Sequence, residues 1–316
     1  MARGLITVFG GSGFIGRHLV RRLARQGWII RVAVRRPSEA LFLKPLGDVG
    51  QITPIRAPVQ DPAAVQAAVA GARAVVNLVG ILYERGARSF AAVHARAPQS
   101  IASAAAEAGA ERLVQVSAIG ADLHAEADYA RSKAAGEAAV KTAFPSASIL
   151  RPSVVFGPED DFFNRFAVMA RLSPALPLIG GGETKFQPVY VGDVAEAIAT
   201  CLIDPDCQGK TYELGGPRVY TFKELMELLL AQIGRRRLLL PLPFALADLQ
   251  AMFLEKLPVP PLTRDQVKLL RHDNVVSPGA LTLADLGITP VAAESVVPTY
   301  LDRYRKGGRF NQAVAL

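Results

Sequence analysis

Short runs of aliphatic residues alternate with longer stretches of helical periodicity through residues 1–150. Leu5–Phe9, Ile29–Val34, Ile52–Ile55, Ala74–Val79, Leu113–Val116 and Ser148–Leu150 are rich in β-branched residues and leucine, with isolated polar positions rather than a regular polar–apolar alternation. Strands of that kind are buried on both faces, as in parallel sheets covered by helices. Between them, Phe14–Gln26, Pro62–Ala70, Ala91–Ala108 and Tyr129–Ala143 repeat apolar positions at helical spacing. The alternation predicts an α/β fold with a Rossmann-like, doubly wound parallel sheet.

After Pro152 the rhythm changes. Residues 157–190 are rich in Gly and Pro, which predicts loops, and helical patterns become prominent beyond them. Thr221 with Glu224 and Thr263 with Gln266 have the spacing of capping boxes that start helices. The expected organisation is a main domain over residues 1–156. Residues 157–316 are read as a smaller C-terminal lobe packed on it, with strand and helix returns to the first domain and no independent core.

Composition narrows the class. Half of the 316 residues are hydrophobic and a fifth are charged, the make-up of a globular protein. No apolar run reaches the roughly 18 to 20 residues that a spanning helix needs. Met1 stands so close to the Leu5–Phe9 run that no leader peptide is expected, so the protein is expected in the cytoplasm. Cys201 and Cys207 fit a reducing compartment, and no Cys/His cluster has zinc-ligand spacing, so no metal is expected. A net charge of +8 favours anionic partners. No recognition helix or RNA-binding motif accompanies it, and no nucleic acid is expected.

The strongest local signal is Val8-Phe9-Gly10-Gly11-Ser12-Gly13-Phe14-Ile15-Gly16, between a strand and a helix. Glycines there permit a tight turn, let a diphosphate reach the backbone and let the helix pack on the strand. The helix N-terminus offers its amides and its positive dipole end to the phosphates. NAD-preferring proteins place a carboxylate about 20 residues on, for the ribose hydroxyls. Here that slot holds Arg35 and Arg36, with Arg17 directly after the last glycine. Guanidinium groups attract a 2′-phosphate that a carboxylate would repel, so the expected cofactor is NADP(H).

Tyr129 and Lys133 are four residues apart in a helical pattern and share one face. An ammonium near a phenol is expected to lower its pKa and make it a usable acid/base. His18, His94, His124 and His272 are scattered and suggest no triad.

The glycine loop, Val116-Ser117, the Tyr129/Lys133 pair, the segment Leu150-Arg151-Pro152-Ser153-Val154-Val155-Phe156-Gly157-Pro158 and Val189-Tyr190-Val191-Gly192-Asp193-Val194-Ala195 resemble the extended short-chain dehydrogenase/reductases. The resemblance implies a catalytic set of Tyr129, Lys133 and a serine. It also implies a cofactor site that takes in Gly10–Arg17, Arg35, Arg36, Val79, Gly80, Tyr129, Lys133, Pro152 and Val154. The chain departs from the pattern where Ser117-Ala118 stands for a Ser-Ser pair, which leaves Ser117 as the only hydroxyl there. Adjacent strand residues face opposite ways, so Ser117 is not an obvious replacement. Pro58 and Arg73 stand where the family places Asp. The cofactor platform survives these changes; the reaction centre is degraded.

A narrower resemblance spans nearly the whole chain. Residues 157–166, 184–190, 262–270 and 300–305 are similar to the nucleotide-binding accessory subunit of respiratory complex I (the alpha-subcomplex subunit nine family), in a bacterial form. That resemblance implies tightly held NADPH without established turnover, other complex I subunits as partners, and a place where the peripheral and membrane arms meet. Arg235-Arg236-Arg237 beside the apolar Phe244–Leu257 suits anionic lipid headgroups, hence a peripheral position on the cytoplasmic face of the inner membrane. The same residues also fit an ordinary solvated helix. Two further readings use the same platform: an active NADP-dependent reductase, epimerase or dehydratase on a small carbonyl substrate, and a regulator that senses NADP(H) occupancy.

Overall fold

A computed structural model describes residues 3–308. In chain order the elements are β1 (Leu5–Phe9), α1 (Phe14–Arg25), β2 (Ile29–Val34), β3 (Ile52–Arg56), α2 (Pro62–Val69), β4 (Ala74–Asn77), α3 (Ala97–Glu107), β5 (Arg112–Val116), α4 (Asp128–Ala143) and β6 (Ser148–Pro152). There follow β7 (Val155–Phe156), α5 (Phe162–Leu172), β8 (Ala175–Ile179), β9 (Lys185–Phe186), β10 (Val189–Tyr190), α6 (Val191–Cys201) and β11 (Thr211–Leu214). The last are β12 (Tyr220–Thr221), α7 (Phe222–Gln232), β13 (Leu238–Leu242), α8 (Phe244–Leu254), α9 (Arg264–Leu269) and α10 (Ala293–Leu301). The described residues divide into two compact units, residues 3–152, 192–214 and 278–288, and residues 153–191, 215–277 and 289–308.

The first unit is built on a seven-stranded parallel sheet in the order β11-β6-β5-β4-β1-β2-β3. The expected doubly wound sheet is therefore present. Its central strands are fully covered: Ile6, Val8, Phe9, Ile30, Val32, Val75, Val76 and Val114 are buried. Pro54, which can donate no ladder hydrogen bond, lies on the edge strand β3. The strand order reverses at β1, between β2 and β4, and the C-terminal ends flanking such a reversal are where this architecture places ligands.

Local sequence decides where the elements stop. β4 ends at Asn77, short of the expected Val79, because the Asn77 side-chain Oδ1 accepts from the Val79 N–H at 3.0 Å while its side-chain Nδ2 donates to Gln115 Oε1 at 2.8 Å. The helix expected over Ala91–Ala108 is interrupted: Ala91–Arg96 forms a single π-helical turn before α3 begins.

The second unit corrects two expectations. The span read as loops contains α5 and β8, since Phe163, Ala167 and Ala170 repeat at helical spacing and are buried. The unit also has a core of its own, in which Phe156, Phe163, Leu176, Phe222, Leu225, Leu229, Val297 and Leu301 are buried together. A large aromatic share allows a short, irregular segment to close a core. Both expected capping boxes form, Thr221 with Glu224 at the start of α7 and Thr263 with Gln266 at the start of α9.

Candidate cofactor and catalytic site

The glycine segment turns from β1 into α1. Gly10 adopts φ +77°, a left-handed backbone that favours glycine, and its N–H donates to the Ala33 carbonyl at 3.2 Å. Gly13 donates to the Gly10 carbonyl at 3.0 Å and then caps α1 without any side-chain hydrogen bond. Gly16 must remain glycine, because a Cβ there would sit 2.5 Å from the Gly10 carbonyl oxygen and 2.6 Å from the Gly11 Cα. Ser12, Phe14 and Ile15 are partly buried in the turn and first helical residues. Close packing of strand and helix thus leaves the first-turn amides of α1 without a side-chain cap, as a diphosphate cradle requires.

The basic residues occupy different surroundings. Arg35 and Arg36 are exposed just beyond β2. Arg36 pairs with Glu39 at 2.8 Å. Arg17 is partly buried, with its guanidinium 5.1 Å from the centre of the Phe42 ring. Arg73, at the start of β4, pairs with Glu111 at 2.9 Å on the surface.

A second group of residues gathers around α4. Tyr129 and Lys133 share a face as expected, with Lys133 Nζ 5.7 Å from the phenol ring centre. Lys133 is buried, and a Cβ added at Gly80 would lie 3.4 Å from its Nζ and 3.7 Å from His94 Nε2. The loop that follows β4 is therefore brought up to the lysine at Gly80. Ser117 is buried just beyond β5, and its Oγ has no hydrogen-bond partner among the described residues. Ala118, beside it, is partly buried and carries no hydroxyl. Pro152 closes β6 and accepts from the Ile119 N–H at 3.1 Å. Val154 belongs to the second unit, where it packs against that unit's own core.

The expected effect of Lys133 on the phenol is not what the structure shows. Burial pushes Tyr129 up to about 12 rather than down. Burial also lowers Lys133 to about 8, against the opposing pull of Glu137 one turn further along α4. Glu137 is itself clamped by Arg151 through two contacts at 2.9 and 2.7 Å, and Arg151 reaches Glu213 on β11 at 3.4 Å. With both carboxylates engaged by one guanidinium, less of their field reaches the lysine.

His94 is the residue that sequence reasoning passed over. Its Nε2 accepts from the Ile81 N–H at 3.0 Å and its Nδ1 lies 2.9 Å from Ser132 Oγ. The ring stacks on Phe90 and meets Tyr129 edge-on at 5.2 Å. The signal that could have found it is a polar residue within an otherwise alanine- and valine-rich run just before Pro98.

Comparisons with known proteins identify the family and the fold. The model of the NAD dependent epimerase/dehydratase family matches residues 6–215. The "NADH dehydrogenase [ubiquinone] 1 alpha subcomplex subunit 9, mitochondrial" of Arabidopsis thaliana is 39% identical over 96% of this chain and 78% of its own length. The mouse protein of the same name is 35% identical over 95% of this chain and 80% of its own. A ceramide reductase of Caulobacter vibrioides is 34% identical over 77% of this chain and 74% of its own. Among solved structures, the dTDP-glucose 4,6-dehydratase DesIV from Streptomyces venezuelae, with NAD bound, superposes with a TM-score of 0.73 at 19% identity, covering 98% of this chain and 97% of that one. At that identity the likeness is one of fold. This chain belongs to the NAD dependent epimerase/dehydratase family and, along nearly its whole length, is similar to the alpha subcomplex subunit 9 proteins of NADH:ubiquinone oxidoreductase.

Proposed function

We propose that the protein is an NADP(H)-holding accessory subunit of a respiratory NADH:ubiquinone oxidoreductase, in which the nucleotide serves structure with little or no turnover. The observation that carries this reading is the 39% identity over 96% of the chain to the Arabidopsis subunit. The residues present suit a dinucleotide: a glycine cradle that a Cβ would fill, and a buried Ser117 hydroxyl with no partner among the described residues. Gly10–Gly16 would seat the diphosphate, Arg35 with Arg36 and Arg17 the 2′-phosphate, and Lys133 the ribose hydroxyls. Val79, Gly80 and Pro152 are assigned to the remaining contacts. The bound nicotinamide supplies hydride chemistry. A phenol pushed up to about 12 and an alanine at position 118 make a poor acid/base centre for using it.

Association with a membrane assembly has its own support in the second unit. Helix α8 carries a single charged residue, Asp248, yet buries only Ala247 and Ala251. Leu246, Leu249, Phe253, Leu257 and Val259 are 50–69% exposed. Exposed large apolar side chains gathered on and just after one helix suit an interaction site. Arg235 and Arg237 donate to the carbonyls of Tyr304 and Ala170, so Arg236, exposed between them, is the guanidinium best placed for lipid phosphates. Among the described residues no helix is long and apolar enough to cross a membrane, and the reading is of a peripheral position on the cytoplasmic face.

The ceramide reductase relative favours a second reading, an active NADP-dependent reductase in which Tyr129 is the general acid. Detergent solubilisation of native membranes, sizing, and mass identification of the released nucleotide separate the two. Co-migration with the respiratory complex and one NADP(H) per chain support the first. A free species that reduces a carbonyl substrate supports the second and overturns the first.

A further inference from the structure

One buried imidazole joins three segments of the first unit. His94 is 2% exposed and lies in the π-helical turn Ala91–Arg96, a distortion of the kind often found at functional sites. Its Nε2 accepts from the Ile81 backbone N–H at 3.0 Å, so the proton of the ring belongs on Nδ1. Nδ1–H then donates to Ser132 Oγ at 2.9 Å, and the Ser132 hydroxyl donates onward to the Tyr129 carbonyl at 2.7 Å. Phe90 stacks on one side of the ring at 5.3 Å, leaving it little freedom to rotate. The chain of hydrogen bonds runs from the loop after β4, through the π turn, to the first turn of α4.

We propose that His94 is a positioning residue for the nicotinamide-ribose end of the cofactor site, fixing the Gly80–Ile81 turn against the helix face that carries Tyr129 and Lys133. The inference rests on the cofactor reading above. A rigid ring with an acceptor at one end and a donor at the other spans a set distance, which a flexible side chain holding one end alone does not. Its neutrality matters as well. His94 Nε2 and Lys133 Nζ both approach the space over Gly80, so an imidazolium there would repel the ammonium that holds the ribose. Burial first, and then Lys133, drives the ring down to about 3, which keeps it uncharged. Among the described residues, the charged and titratable groups that face it are Lys133 and Tyr129, both on α4.

Three variants of the full chain test the assignment, with NADPH as the probe. His94→Gln offers a carbonyl where Nε2 stood and retains the Ile81 bond; His94→Asn reaches only toward Ser132; His94→Leu keeps bulk and neither bond. NADPH affinity is expected to stay within about threefold for Gln and to fall about tenfold for Asn and Leu, the worth of one hydrogen bond. The emission of bound NADPH is expected to shift in Asn and Leu and to return in Gln. If Leu does not fold, the Gln–Asn pair decides, and equal affinities for the two overturn the proposal. Nitrogen-15 NMR of the wild-type imidazole without nucleotide is a separate readout: an Nδ1–H tautomer that persists at pH 5 is expected. A protonated Nε2 overturns the proposal. A wild-type chain that binds no pyridine nucleotide but shows the expected tautomer sinks the cofactor reading, and with it the positioning role, while leaving the Ile81 link standing.

Discussion

The backbone carbonyl oxygen of His94 lies 1.8 Å from the point that a Cβ on Gly136 would occupy. The π turn and α4 therefore touch backbone to backbone, and any side chain at 136 would force them apart. Helix propensity alone would make Gly136→Ala stabilising by about 1 kcal/mol. The contact reverses the sign. Gly136→Ala is expected to destabilise the fold by about 1–3 kcal/mol, the usual cost of overpacking, and to weaken NADPH binding because Lys133 moves with α4. Thermal unfolding and a nucleotide titration check both parts; a variant that melts higher than wild type refutes the argument.

Arg35 and Arg36 should not contribute equally. Arg36 is already paired with Glu39, whereas Arg35 has no ion-pair partner among the described residues. Arg35→Ser is expected to weaken NADPH by about 10- to 100-fold, the worth of a charge-assisted hydrogen bond, with NADH changed by less than about threefold. Arg36→Ser should cost NADPH less. Parallel titrations with the two nucleotides decide, and an equal loss for both would remove the 2′-phosphate assignment.

Gly16→Ala tests the cradle itself. With a Cβ only 2.5 Å from the Gly10 carbonyl, α1 cannot keep its seat on the turn. Loss of nucleotide retention during purification is expected, together with a lowered melting temperature. Undiminished retention in a folded variant would show that the diphosphate sits elsewhere.

Two groups set opposite ends of the pH behaviour. Lys133 is lowered to about 8 from 10.5, so its ammonium is lost as pH rises through about 8, and NADPH affinity should decline there. Its folded pKa lies below the unfolded one, so between those two values the unfolded chain binds more protons and folding stability rises with pH. His94 follows the same sign lower down: lowered to about 3 from 6.5, it makes stability fall as pH drops through that window. His94→Gln should flatten that fall by up to about 1.4 kcal/mol per pH unit. Denaturant unfolding across pH 3.5–10 reads both limbs; an unchanged acid limb in His94→Gln would contradict the assignment.

Surface association is testable apart from the nucleotide. Arg236→Glu with Leu249→Gln and Phe253→Gln is expected to abolish binding to vesicles containing anionic lipid. One basic residue near such a surface is worth about 1 kcal/mol, and the buried apolar groups add to it. Flotation assays at low and high salt give the comparison, and binding unchanged by the triple substitution would point to a different face.

Much of this protein was determined by local sequence. The β-branched runs imply a covered parallel sheet because strands so dominated by aliphatic residues have no wholly polar face to offer water. The glycine turn announces itself because the close approach of strand and helix uses a left-handed Gly10 and leaves no room for a side chain at Gly16. Both capping boxes are visible because their partners are three residues apart. The tertiary structure decided the rest. Sequence spacing puts Tyr129 beside Lys133, but the phenol's pKa depends on burial, which is contributed by distant segments, and it moved opposite to the pairwise expectation. Gly80 comes up to Lys133, and Ile81 to His94, only through packing of the β4 loop, the π turn and α4. Arg151 finds Glu137 and Glu213 across three elements. Periodicity reports which side of an element is covered, because that is a property of the element itself. What covers it, and with what charge, is a property of the assembled chain.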